Sequence, residues 1–229
     1  ADAKKDQSYV LYMLTQEQLA HLILPLGGLT KPEIRGIAAA HGFVNAHKQE
    51  SQDICFVPDG DYVRFMEDYT GSEYPDGDFL DMAGNVVGRH RGAVRYTTGQ
   101  RKGLGLAMGS PVYVQSKDMR TNTVTVGPEE FLFRRELTAC DANWISVPDL
   151  TEPMRVLAMP RYRKKESPAT LYPLPQDTPD PSPAQGGCSR VRVVFDDPQR
   201  AMTPGQAIVF YDIDEPDLVV GGATIETIE

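Results

Sequence analysis

Apolar residues recur at helical spacing in the first third of the chain and at strand spacing after it, with the change near residue 70. Val10, Leu11 and Leu14 open the series. Thr15-Gln16-Glu17-Gln18 follows as a capping box, in which the hydroxyl serves an orphan amide and Gln18 reaches back. It predicts a short helix through Leu22, ended by Leu24-Pro25-Leu26-Gly27-Gly28. Thr30-Lys31-Pro32-Glu33 is a second box, with proline in the first turn, where its missing N–H costs nothing. Ile34, Ile37, Ala38 and His41 then share one face, and Gly42 supplies a left-handed stop. A third helix, from about Asp61 to Tyr69, places Tyr62, Phe65, Met66 and Tyr69 at helical spacing.

Past Gly71 the pattern shortens. Turn signals at Tyr74-Pro75-Asp76-Gly77-Asp78 and Met82-Ala83-Gly84-Asn85 bracket short strands at Phe79-Leu80 and Val86-Val87. Asp118 to Asn122, before Thr123-Val124-Thr125-Val126-Gly127, predicts a hairpin. From about residue 130 strands are expected at Trp144-Ile145, Met154 to Met159, Ala169 to Tyr172, Arg190 to Phe195, Ala207 to Tyr211 and Leu218 to Ile225. Regular strands separated by turns predict a small closed barrel. Ser167 to Gly187 is rich in Pro, Asp and Ser and reads as one long hairpin loop. The fold class is therefore α+β, mainly β.

Composition narrows the class. At 229 residues, 41% hydrophobic and 24% charged, the chain can bury a core. No apolar run approaches the roughly 18 residues that span a bilayer, and Ala1-Asp2-Ala3-Lys4-Lys5-Asp6 does not read as a signal peptide. A first residue other than Met points to a piece of something longer. Three cysteines (Cys55, Cys140, Cys188), odd in number and without CxxC, argue against a disulfide framework or zinc site and for a reducing cytoplasm. His21, His41, His47 and His90 show no metal-ligand spacing, so no metal is expected.

Chemistry gathers at Ser51-Gln52-Asp53-Ile54-Cys55-Phe56, read as a strand end before the turn Val57-Pro58-Asp59-Gly60. Cys55 is either a buried structural thiol or a nucleophile reachable from outside the core. Cys140 lies in what reads as a strand-to-turn context, and Cys188 borders the Pro-rich segment. His47 is near enough in sequence to leave a Cys–His hydrolase open. The run Gly99 to Gly109 matches no phosphate-loop pattern and reads as a tight structural turn.

Net charge is −9, yet two stretches are basic and free of acids. One holds Arg89, His90, Arg91, Arg95, Arg101 and Lys102; the other holds Arg155, Arg161, Arg163, Lys164 and Lys165. Each is either a local site for the phosphates of a polyanion or a strand edge guarded against aggregation. Tyr162 turns the second towards RNA, because an aromatic beside guanidinium groups can stack on an unpaired base.

Several motifs, in order along the whole chain, resemble one family, the bacterial tRNA-specific 2-thiouridylases of the MnmA/TrmU type. They are Lys5-Asp6-Gln7-Ser8-Tyr9, Leu24-Pro25-Leu26-Gly27, Lys31-Pro32-Glu33-Ile34-Arg35 and Ser51 to Phe56, then Tyr96-Thr97-Thr98-Gly99-Gln100-Arg101-Lys102-Gly103-Leu104-Gly105, Arg161-Tyr162-Arg163 and Thr203-Pro204-Gly205-Gln206. The resemblance implies a sulfurtransferase that adenylates C2 of a wobble uridine with ATP and then delivers persulfide sulfur. Cys55 matches the persulfide carrier, and Lys5, Asp6, Gln7, Arg161, Tyr162 and Gln206 match tRNA contacts. It further implies that residues 1–56 are the helical tail of a pyrophosphate-loop catalytic domain. Residues 57–127 are then a small central domain, and residues 128–229 a six-stranded-type β-barrel. The SGGxDS loop and a second, resolving cysteine have no match here, so these residues alone are expected to be inactive and to hold no cofactor. Expected partners are tRNA and a sulfur-donor protein (a cysteine desulfurase or sulfur relay), for a cytoplasmic monomer. The alternative is a non-catalytic RNA-binding barrel module.

Overall fold

The computed structural model describes residues 7–47, 57, 60–162, 165–175 and 190–229. Two compact units are formed by Ala1–Asp61 and Tyr62–Glu229. The first holds α1 (Ser8–Leu11), α2 (Gln16–His21) and α3 (Lys31–Ala40), and α2 and α3 begin where their capping boxes require. Gln18 N donates to Thr15 Oγ1 at 3.2 Å, and Thr15 N donates to Gln18 Oε1 at 2.9 Å. Thr30 N and Oγ1 both donate to Glu33 Oε2 at 2.6 Å, which holds the Glu33 carboxyl below its usual range. Gly42, at φ +70°, lets its own N–H reach Ala39 O and that of Phe43 reach Ala38 O, closing α3.

The apolar face expected on α3 is not a buried face. These three helices bury no residue, Ile37 is 47% exposed, and Ile23 and Val44 are more exposed still. Nothing among the described residues of this unit covers them.

The second unit starts with α4 (Tyr62–Thr70), whose buried residue is Val63 rather than the expected aromatic row; Tyr69 is 80% exposed. A four-stranded sheet follows in the order β2-β1-β4-β3, from β1 (Gly77–Leu80), β2 (Val86–His90), β3 (Tyr113–Asp118) and β4 (Thr123–Gly127). β1 pairs parallel to β4 and the other pairs are antiparallel. Phe79, Val114, Val124 and Val126 form its core with Tyr96 and Leu104. Asn122, left-handed at φ +52° in the predicted hairpin turn, accepts from Ala93 N and donates to the Pro75 and Asp76 carbonyls.

His90 is part of this core. It is 2% exposed, 5.1 Å edge-on from Phe79 and 5.4 Å from Tyr96, and burial lowers its pKa. It therefore leaves the first basic run, because alternation along β2 turns its ring away from the side on which Arg89 is exposed.

The barrel is closed and antiparallel, in the order β10-β5-β8-β7-β6-β9. Its strands are β5 (Phe133–Trp144), β6 (Met154–Met159), β7 (Ser167–Pro173), β8 (Val191–Arg200), β9 (Ala207–Asp212) and β10 (Val219–Ile228). Alternate residues fill it: Leu137 and Ala139, Val156 and Ala158, Ala169 and Leu171, Ile208 and Phe210, Ala223 and Ile225. In most strands one bulky and one small side chain point inward, which fits the narrow lumen of a small barrel.

Two expectations change here. Ser167–Pro173 is strand, so the Pro-rich loop is shorter than Ser167 to Gly187, and residues 176–187 of it lie outside the described residues. Cys140 is inside β5 rather than at its end; β5 continues through a bulge at left-handed Asp141 (φ +53°).

The outer face is laced by ion pairs. Arg155 reaches over β7 to Asp196 with two hydrogen bonds of 2.7 and 2.8 Å, Arg192 meets Glu136, and Arg190 meets Glu226 at 2.9 Å. The guanidinium partners hold the Asp196 and Glu136 carboxyls below their usual range. A carboxyl with a depressed folded pKa stabilises above its unfolded value, about 4, and loses that contribution as pH falls through the folded value. Urea midpoints measured from pH 6 to pH 2 should therefore fall less steeply in the Arg155→Met/Asp196→Asn double variant than in the unsubstituted chain.

Candidate nucleic-acid interface

The interface is built where one end of the barrel meets the four-stranded sheet. The segment that meets it is the turn Thr97 to Lys102, and its shape is fixed by backbone bonds. Gly99 N donates to Val114 O at 2.8 Å, and Val114 N to Gln100 O at 2.9 Å. Gln100 ties the turn to itself by accepting from Thr97 N at 3.1 Å and donating to Lys102 O at 3.0 Å. Gly99 has φ +83°, and a Cβ there would stand 2.8 Å from Ala201 Cβ. Glycine is thus required twice, by the left-handed backbone and by the close approach to the barrel.

Arg200, at the end of β8, fastens the junction. Its Nε donates to Glu129 Oε1 at 2.8 Å and its Nη2 to Gly99 O at 3.3 Å, while the guanidinium lies 5.4 Å from the Tyr113 ring centre. Beside it opens a cleft of about 430 Å3 lined by Thr98, Lys117, Arg134, Met202, Thr203 and Pro204 among others. Lys117 Nζ donates to Tyr96 O at 3.0 Å, on the flank of the same turn.

Register places the expected RNA contacts at this end. Met159, the last residue of β6, is opposite Val209, so β6 ends where β9 begins. Arg161 and Tyr162, both exposed, follow β6, and Gln206 precedes β9. The structure therefore brings these three to one rim, together with the Thr203–Pro204 side of the cleft. Gln206 is half-buried; its Oε1 is buried without a hydrogen-bond partner among the described residues, and its main chain is bonded to Thr203 and Ile225. Gln7 is exposed at the start of α1 in the other unit. Lys5, Asp6 and Cys55 lie outside the described residues, as do Arg163, Lys164 and Cys188.

Arg155 leaves the candidate set, since Asp196 already neutralises it. Cys140 is a poor nucleophile: burial, then the neighbouring Asp141 carboxylate, push its thiol pKa up. Among the described residues no group of three or more His, Cys, Asp or Glu could hold a metal, and no helix is long and apolar enough to cross a membrane. Arg200 and Lys117 escaped the sequence reading, because neither belongs to a run and their partners are distant in sequence.

Comparison with known proteins finds matches along almost the whole chain. Three family models fit in succession: tRNA methyl transferase HUP domain over residues 1–59, tRNA methyl transferase PRC-barrel domain over 63–128, and aminomethyltransferase beta-barrel domain over 134–225. The tRNA-specific 2-thiouridylase MnmA of Acetivibrio thermocellus is 49% identical over 97% of this chain and 58% of its own length. That of Moorella thermoacetica is 51% identical over 99% and 59%, and that of Treponema denticola 45% over 100% and 60%. The chain belongs to this family. It spans between 54% and 60% of the length of the curated relatives it matches.

Gly99, within the segment Tyr96 to Gly105, thus meets the barrel, and Thr203 to Gln206 lies at the same end of it. Gly99→Ala should lower chain stability by about 1–3 kcal/mol, from left-handed strain plus the clash with Ala201, measured as a lower urea midpoint at unchanged slope.

Proposed function

We propose that the full-length protein is a tRNA 2-thiouridylase, a sulfurtransferase acting on the wobble uridine of tRNA in the cytoplasm. The observation that carries this reading is the identity of 45–51% to 2-thiouridylases over nearly the whole chain, motifs in order. In this reading ATP, bound outside these residues, adenylates the uridine C2 oxygen. The terminal sulfur of a Cys55 persulfide, loaded by a sulfur-donor protein, forms a bond to C2 as AMP leaves. A second cysteine, also outside these residues, attacks the Cys55 sulfur. The bond to the transferred sulfur breaks, its electron pair stays on the thiouridine, and the two cysteines are left as a disulfide for a thiol reductant to open. Cys140 suits neither cysteine role, because its raised pKa leaves little thiolate.

The rim supplies tRNA contacts: Arg161 to a phosphate, Tyr162 stacked on an unpaired base, Gln206 through hydrogen bonds. Lys5, Asp6 and Gln7 add contacts from the helical unit, and the protein acts as a monomer. The proposed domains are residues 1–56, 57–127 and 128–229. Uncovered Ile23, Ile37 and Val44 in the helical unit support the view that it continues into a larger catalytic domain. A second reading, an RNA-binding barrel without catalysis, draws on the exposed Arg161-Tyr162 rim.

Cys55→Ser in the full-length protein should abolish 2-thiouridine formation, by mass spectrometry of digested tRNA, while leaving tRNA affinity within about twofold. Undiminished thiouridine would remove the role given to Cys55, and a Cys55 thiol that alkylates no faster than Cys140 would favour the barrel-only reading. Arg161→Ala should weaken tRNA binding and make the plot of log affinity against log salt shallower by about 1, read by titration between 50 and 300 mM salt.

A further inference from the structure

Some cations of the second unit are already paired and others are not. On the barrel, Arg155, Arg190, Arg192 and Arg200 are each neutralised by a carboxylate: Asp196, Glu226, Glu136 and Glu129. A cation already paired in this way has little left to offer a phosphate. Arg89 on β2 pairs with Asp78, but Arg91, Arg101 and Lys102 in the β2–β3 connection and Lys117 on β3 are exposed, and no ion pair to any of these four is formed among the described residues. Two nearby carboxylates are engaged elsewhere. Glu129 is held by Arg200, and Asp118 accepts from the Arg120 and Thr121 amides of its own hairpin. In a chain of net charge −9, an uncompensated basic surface on a rigid turn is where a polyanion gains most from counterion release.

Its position gives that surface a direction. Gly99 touches Ala201 at the barrel end that also carries Arg161, Tyr162 and Gln206, and Lys117 lies on the cleft between sheet and barrel. Gly103 and Gly105, both left-handed, follow Arg101-Lys102, and a second cleft of about 450 Å3 lies beside them, so the backbone can be approached closely.

We propose that the turn carrying Arg101 and Lys102, with Lys117 on its flank, is a phosphate track. It holds the sugar–phosphate backbone of the same tRNA whose unpaired bases meet the barrel rim. The contact is electrostatic and independent of base sequence, so it orients the RNA across the cleft while the rim reads the bases. This proposal rests on the reading of the protein as one that acts on tRNA.

The test uses the full-length protein and a fluorescently labelled, unmodified tRNA transcript in salt titrations by anisotropy. Arg101→Ala/Lys102→Ala should weaken binding about fivefold or more at 100 mM salt. It should also make the log–log salt dependence shallower by about 1 to 2, with the melting temperature unchanged because both side chains are exposed. The charge-preserving Arg101→Lys/Lys102→Arg variant should keep the original slope, which a merely structural role for the turn would not require. Unchanged affinity and slope in the alanine variant, with tRNA bound normally by the unsubstituted protein, overturns the track and leaves the thiouridylase reading standing. Absence of binding by the unsubstituted protein overturns both.

Discussion

The contact of the Gly99 backbone with Ala201 and Arg200 sets how the basic turn and the barrel rim face RNA in the proposed reading. A sheet and a barrel joined only by a flexible segment would present two unrelated surfaces. Here the left-handed glycine brings its main chain against a left-handed alanine, Ala201 at φ +52°, and the Arg200 guanidinium bridges Glu129, Gly99 O and the Tyr113 face. The exposed ion pair contributes little by itself. Close packing supplies the rest: Ala201, Met202 and Leu132 are each at most 4% exposed. An added methyl at residue 99 has no free space, so the cleft and the turn beside it are placed by shape as much as by charge.

The barrel provides a stiff rim because its interior is specified strand by strand. Alternating inward residues fill the lumen, Trp144 stacks at 5.9 Å on Phe210, and Gly221 is held to glycine by Asn143 O, 2.4 Å from where a Cβ would be. Alternation also sends Arg155 and Arg192 outward, where carboxylates on other strands meet them. The same period-two rule thus builds the core and brings these two cations to carboxylates. The basic turn between β2 and β3 and the residues after β6 remain available to a polyanion.

Much of the fold and part of the site were legible in the sequence. Both capping boxes, the Gly42 stop and the hairpin at Asn122 depend on residues close in sequence, the closed barrel was announced by its regular run of strands and turns, and all appear in the structure. The ordered motifs were enough to point to the family. Misreadings arose where polar residues hid regular structure: β7 begins with Ser167 and Pro168, and β5 passes through Cys140 and Asp141 without ending. Strand propensity is weak against such composition, and pairing on both sides decides the matter.

The order of elements, the caps and turns, the family and the residue types at the proposed sites can all be read from the sequence. This is because those features depend on neighbours a few positions apart or on motif order. Only the tertiary structure decided which charges are free. Arg155 is neutralised by a residue 41 positions away, Arg200 by one 71 away, and Gly99 is met by a side chain 101 away. His90 left the basic run because its ring is buried between Phe79 and Tyr96. Desolvation and ion pairing depend on what surrounds a side chain in space, and folding brings those surroundings from distant parts of the chain.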